Sequence, residues 1–185
     1  NENKNQAVYN QIKKKLDKNA YEIKALETNS KKATPQIIVE EAANLRHVCD
    51  EEGIQQAEWG GRMHYLRWKT PTTLYGWEQA GMTYDSTLSY ADHAGFRCGT
   101  CHEYPAFDPA SGTCFNLRIR PLIAMEGTVI GKGYMGLGLT PSANEKFLQL
   151  KQACRNVEGK FTLLWHHPGF ADQQEQEMYE EIVKA

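Results

Sequence analysis

Residues 84–108 read Y-D-S-T-L-S-Y-A-D-H-A-G-F-R-C-G-T-C-H-E-Y-P-A-F-D. Inside them, Cys98-Gly99-Thr100-Cys101-His102 matches the C-x-x-C-H pattern that attaches a c-type haem. The same five residues also fit half of a zinc site, a redox pair, or two small buried side chains in a Gly-containing loop. A structural zinc ion needs four tetrahedral ligands. Cys114 or His102 would have to complete the set, because the chain has no second C-x-x-C. A thioredoxin-type pair sits where a helix begins, whereas Glu103-Tyr104-Pro105 follows here. Haem attachment needs a second axial ligand and an apolar sleeve, which an α/β chain of this kind does not suggest, so no haem is expected. Packing of the two thiols as small buried residues is the reading that asks least of the rest of the chain.

Outward from this stretch, composition narrows the partners. A chain of 185 residues with 41% hydrophobic residues suits one globular domain with a single core. Lys+Arg 21 against Asp+Glu 23 exerts no global pull on nucleic acid or acidic lipid, so neither nucleic acid nor membrane is expected as a partner. Lys13-Lys14-Lys15 is the only local charge run, and it reads as a solvated helix face. No apolar run approaches the ~20 residues that span a bilayer, and no signal peptide precedes N-E-N-K-N-Q. Five cysteines, an odd number, favour reduced thiols and a cytoplasmic location.

Periodicity then supplies the elements. Val8, Ile12 and Leu16 mark an amphipathic helix over 6–18, and a short run over 20–23 is a candidate strand. Thr34 as N-cap and Pro35 at the first helical position open a second helix with an apolar face of Ile38, Ala42, Leu45 and Val48, stopped at Gly53. R-M-H-Y-L-R-W (62–68) alternates enough for a strand, and T-L-Y-G-W-E-Q-A (73–80) is a short helix closing at Gly81. Residues 98–116 read as an irregular connection. L-R-I-R-P-L-I-A-M-E (117–126) is a strand with an edge or bulge at Pro121. A helix follows with Ser142 as N-cap and Glu145 at the capping-box position. F-T-L-L-W-H (161–166) is a buried strand, and a last amphipathic helix begins at Asp172. Strands alternating with helices predict an α/β fold with a mainly parallel sheet and a single domain over 1–185.

In such folds chemistry gathers at the C-terminal ends of strands. Three places qualify. Arg62 and His64 share one face of a strand, with Tyr65 beside them; the pair suits an arginine fixing a carboxylate and a histidine acting as ligand or proton carrier. Asp85, in Tyr84-Asp85-Ser86-Thr87, is placed to orient a histidine or bind a metal, or to satisfy backbone amides in an Asx turn. His166, ending a buried strand before His167-Pro168, suits a general acid or a metal ligand, or else a satisfied core histidine. Trp59, Trp68, Trp77 and Trp165, with Tyr84 and Tyr90, offer sugar-stacking faces or ordinary packing.

The segments R-M-H-Y-L-R-W, Y-D-S-T-L-S-Y-A-D-H-A-G-F-R-C-G-T-C-H-E-Y-P-A-F-D, R-P-L-I-A-M-E-G-T and L-L-W-H occur in that order. Over residues 20–185 they resemble a bacterial branch of the polysaccharide deacetylase-like proteins, linked to surface polysaccharide biosynthesis. The resemblance implies a partial or irregular (β/α)7 barrel and metal-assisted hydrolysis of the acetamide of an N-acetylated sugar, with a divalent ion such as Zn as cofactor. It places Arg62, Asp85 and His166 in the catalytic site: Arg62 as the brace of a catalytic Asp, Asp85 in the cleft, and His166 as the late acid. It assigns His64 to the metal, and Tyr65, Arg67, Arg97 and Trp165 to substrate. The family's early Asp-Asp pair is missing, and E-I-K-A-L-E (22–27) stands where E-I-G-x-H is expected. The chain is thus expected to lack the N-terminal strands of the full barrel. The alternative function is a catalytically inactive, carbohydrate- or partner-binding relic of that fold.

Overall fold

Proline and glycine punctuation sets the ends of the first helix that the computed structural model describes. The described residues are 35–166 and 172–185, so the expected helix over 6–18, the strand over 20–23 and the Thr34 cap lie outside them. Helix α1, Pro35–Glu51, buries Ile38, Ala42, Val48 and Cys49. Gly53 ends it at φ 67°, a left-handed position that a residue with a Cβ adopts only under strain. Strand β1 is Gly60–Gly61, α2 is Thr72–Gln79 and β2 is Tyr84–Asp85. Strands β3, Tyr104–Asp108, and β4, Thr113–Ile119, follow. Next come β5, Ala124–Met125, the short α3, Glu126–Ile130, and α4, Pro141–Asn156. Strand β6, Leu163–Leu164, and α5, Gln173–Lys184, complete the order.

The architecture is α/β with a partly parallel sheet. One sheet runs β1-β2-β4-β3, and β5 pairs in parallel with β6 in a second. The expectation of a mainly parallel sheet needs correction. β3 and β4 are sheet neighbours joined by only four residues, which forces them antiparallel, because a parallel pair needs a crossover of a dozen or more. The expected irregular connection over 98–116 is therefore in large part this hairpin. Its buried Phe115, Leu117 and Ile119 alternate with Asn116 and Arg118 in β4. In the turn, Asp108 accepts hydrogen bonds from Ala110 N (3.0 Å) and Ser111 Oγ (2.7 Å). Gly112 sits at φ 71°.

By contacts the chain divides into two compact units. The first takes residues 35–60, Lys69–Tyr84 and Ala106–Leu117; the second takes Gly61–Trp68, Asp85–Pro105 and Arg118–Ala185. In the first unit α1 packs on α2, and Gly76 permits the approach: a Cβ there would lie 2.6 Å from Ile38 Cδ1 and 3.1 Å from Pro35 Cα. The core of the second unit gathers Cys101, Ile123, Ala124, Val129, Phe147, Cys154 and Ile182.

That core answers the question raised by C-G-T-C-H. Cys101 is 2% exposed and Cys154 1%. Burial, then the hydrogen bond with Cys101, pushes the Cys154 thiol up to about 12, so it packs as a neutral side chain. Cys98 hydrogen-bonds the Tyr104 hydroxyl, whose pKa is raised, first by burial and then by that bond. Gly99 makes the turn between the two cysteines at φ 67°.

The residue after His102 gathers three cations of the second unit. Glu103 receives Arg120 Nε at 2.5 Å, Lys160 Nζ at 2.7 Å and Arg118 Nε at 3.4 Å. Burial alone would raise its pKa, but the bonds from Lys160 and Arg120 outweigh it and hold the carboxyl at about 2, against an ordinary 4.5. A depressed native pKa contributes stability that is present above pH 4.5 and lost as pH falls toward 2. Glu103→Gln is thus expected to cost about 1–2 kcal/mol at pH 7, discounted for the exposure of Lys160 and Arg118. The gap between variant and parent should close toward pH 2; urea midpoints across that range measure it.

The fourth helix also corrects the cap assignment. Thr140, not Ser142, is the N-cap: its Oγ1 accepts Ala143 N at 3.4 Å, and Pro141 takes the first helical position. Pro there has its φ preset and no N–H to satisfy, which moves the helix start ahead of Ser142. Thr140→Ala should cost about 1 kcal/mol, read from thermal unfolding. At the last helix, Asp172 accepts Glu175 N at 3.1 Å, matching the start expected from the sequence.

Candidate functional site

The site is built from the second unit alone. Its template is Asp85-Ser86-Thr87, which leaves β2. Ser86 N donates to Gly61 O at 2.8 Å, and Arg120 N donates to Asp85 O at 2.8 Å. Asp85 is fully buried. Its carboxylate accepts from Thr87 N (3.1 Å) and Thr87 Oγ1 (2.5 Å), the Asx-turn arrangement. Thr87 Oγ1 in turn accepts Met63 N at 3.0 Å. Arg62 donates from Nε to Ser86 O (2.8 Å) and from Nη2 to Ser86 Oγ (3.1 Å). These three residues therefore anchor the start of the 62–68 segment.

That segment is not the strand expected from its alternation. Met63 and Arg67 are extended, but between them His64–Leu66 form a tight turn with Tyr65 at φ 57° and Leu66 at φ 52°. Arg62 and His64 consequently do not share a strand face. Two successive residues with a Cβ in the left-handed region are uncommon and unfavourable, and such strain concentrates at functional sites. Here it turns Tyr65 outward, 76% exposed, with the His64 ring 4.2 Å away and the Arg67 guanidinium 5.5 Å over its ring.

The turn lines a cavity of about 480 Å³, within the range that holds small ligands. Arg62, His64 and Tyr65 face it from the turn, Met125 and Leu164 from the parallel strand pair, with Tyr134 and His166 completing the lining used here. The register Ala124↔Leu163 and Met125↔Leu164 brings the C-terminal ends of β5 and β6 side by side. Glu126 follows one strand and His166 lies two residues beyond the other. His166 Nδ1 is hydrogen-bonded to Glu126 Oε1. The Glu126 side chain is 9% exposed and that of His166 56%. A neutral imidazole that donates Nδ1–H to a carboxylate carries its lone pair on Nε2. Glu126 Oε2 is buried without a hydrogen-bond partner among the described residues.

Glu126 is the residue that sequence reasoning passed over. Its signal was available, because it ends the buried run Leu122-Ile123-Ala124 just as His166 ends Leu163-Leu164. Of the expected site residues, Arg62, His64, Tyr65 and His166 are brought together on the cavity, and Arg67 lies over Tyr65. Asp85 supports that group from a buried position rather than lining the cavity. Arg97 is exposed, with Nη1 donating to Ser89 O at 2.6 Å. Trp165 packs between Phe147 (5.6 Å) and Tyr179 (5.4 Å), so it serves the core and not the cavity lining.

The divalent ion implied by the family resemblance can be tested against these side chains. Among the described residues no three His, Cys, Asp or Glu side chains gather closely enough to hold a metal ion. His64 and His166 share the cavity, but His166 Nδ1 is committed to Glu126. The described residues do not by themselves fit the ion, and no step below is routed through it. Among the same residues no helix is long and apolar enough to cross a membrane. Comparison with protein-family models, with curated proteins and with solved structures finds no match for this chain.

Proposed function

We propose that this chain is a polysaccharide deacetylase-like hydrolase domain, a partial (β/α)7 barrel that removes the acetyl group from an N-acetylated sugar. The observation that carries the reading is the His166–Glu126 pair at the ends of two parallel strands, opening on a cavity shared with Arg62 and His64. Water attacks the acetamide carbonyl carbon, forming a C–O bond, and the C–N bond then breaks to give acetate and a free amine. His166 Nε2 takes the proton that the attacking water gives up and passes it to the departing nitrogen, the role of a late histidine acid. The Glu126 carboxylate fixes the ring and stabilises the imidazolium. Arg62 puts positive charge on the wall, beside His64, where the carbonyl oxygen becomes anionic.

The test is acetate release from N-acetylglucosamine oligomers, with and without Zn²⁺ or Co²⁺. Release by the wild-type chain, lost in His166→Ala, supports the reading; no release under either condition sinks it. A second reading, a carbohydrate-binding relic without catalysis, is favoured by the exposed rings of Tyr65 (76%) and Tyr134 (54%) at the cavity. Sugar binding without acetate release would select it.

A further inference from the structure

We infer that the cavity takes an N-acyl group longer than acetyl, an unbranched chain of butyryl length laid along Met125 and Leu164. The inference rests on the reading of this cavity as an N-acyl sugar site and deepens it by naming the class of acyl group. The two parallel strand ends divide their side chains by alternation. Ala124 and Leu163, partners in register, turn into the core of the second unit, as does Trp165. Met125 and Leu164, the next partners in register, line the cavity and are half-buried. Met63, Leu66 and Ala91 add apolar surface to the same lining.

The place of this surface ties it to the acyl chain rather than to the sugar. His166 follows Leu164 by two residues, and Glu126 follows Met125 directly. The apolar pair therefore lies beside the group that handles the proton, where the carbonyl carbon has to sit. The substituent on that carbon is the acyl chain. Sugar hydroxyls gain nothing from Met and Leu side chains, because covering a hydroxyl without a hydrogen bond is unfavourable. The apolar face of a sugar ring has the exposed rings of Tyr65 and Tyr134 instead. An acetyl methyl covers only a small part of Met125 and Leu164, whereas each further methylene laid on them leaves water. The unbranched Met125 side chain adapts to the chain it meets. The reaction keeps its balance with the longer group. Water oxygen bonds to the acyl carbon, the C–N bond breaks with its electron pair on nitrogen, and the products are the free acid and a free amine.

The test uses the full chain and tetramers of N-acetyl-, N-propionyl- and N-butyrylglucosamine. Binding is read by titration calorimetry on His166→Ala, so that ligand is not consumed. Turnover is read on the wild-type chain as freed amine, with and without Zn²⁺ or Co²⁺. Affinity should rise about fourfold for each added methylene, hence about 15-fold from acetyl to butyryl. Met125→Gln keeps the length of the side chain and removes its apolar surface. It should cut the butyryl-to-acetyl ratio to about fourfold or less. If that ratio stays intact, Leu164→Asn is measured next, and loss of the preference there also supports the inference. Equal affinity for the three tetramers, tighter binding of the acetyl form, a ratio that survives both substitutions, or no binding of any of them overturns it. Amine release without chain-length preference removes this inference and leaves the hydrolase standing. Preference in binding without release keeps the acyl site and removes the hydrolase.

Discussion

Glu126→Gln should lower kcat for acetate release by about 100-fold while leaving KM within about twofold. Gln keeps the shape and an oxygen that can still accept from His166 Nδ1, so the ring stays placed and substrate binding is spared. What it removes is the negative charge facing the imidazole. An uncompensated imidazolium is harder to form beside a position only 9% exposed, although solvent at the 56% exposed His166 side chain screens part of the effect. The loss therefore falls on the step in which His166 carries a proton. His166→Ala should lose about 10² to 10⁴-fold, the range for a positioned acid–base group. A Glu126→Gln enzyme with unchanged kcat would show that the pair is structural, and the acid role of His166 would fall with it.

The second large effect is on stability. Asp85→Ala should destabilise the fold by about 3–5 kcal/mol, measured from urea midpoints. The substitution strips the acceptor from Thr87 N and Thr87 Oγ1 in a region where Asp85 and Thr87 are both 0% exposed. Each buried donor left unsatisfied costs about 1–3 kcal/mol. Asp85→Asn retains an acceptor oxygen and should cost about 1–2 kcal/mol, the difference between a charge-assisted and a neutral bond. Because Thr87 Oγ1 also receives Met63 N, the damage should reach the His64–Leu66 turn. Sugar binding by Asp85→Asn should weaken more than its modest loss of stability would imply. A loss below 1 kcal/mol for Asp85→Ala would mean that the buried carboxylate is not the anchor of this corner.

The comparison of expectation with structure turns on range of interaction. Helix α1 was readable because its apolar positions Ile38, Ala42, Leu45 and Val48 repeat at i, i+4, i+7 and i+10, with Pro35 and Gly53 acting on their own backbone. The β3–β4 hairpin was hidden by composition. The Cys, Gly and Pro around it suggested a loop, although Phe115, Leu117 and Ile119 alternate as a strand with one buried face should. The strand expected at R-M-H-Y-L-R-W failed for another reason. No local rule favours left-handed Tyr65 and Leu66; the bonds of Met63 and Arg62 to the Asp85-Ser86-Thr87 corner, 24 residues away, accompany that turn.

His166 was legible as a polar residue ending an apolar run, and so in principle was Glu126. Their partnership was not, because it depends on β5 and β6 lying parallel in one register. The same holds for C-G-T-C-H, whose second thiol rests on Cys154, 53 positions further on. By itself, the sequence determined the helices α1, α2 and α5, the α/β class and the polar ends of the last two strands, since these follow from interactions within a turn or two of chain. Only the tertiary structure decided which of those polar ends meet. A hydrogen bond across 40 residues is set by strand register and core packing, and neither is written in any local pattern.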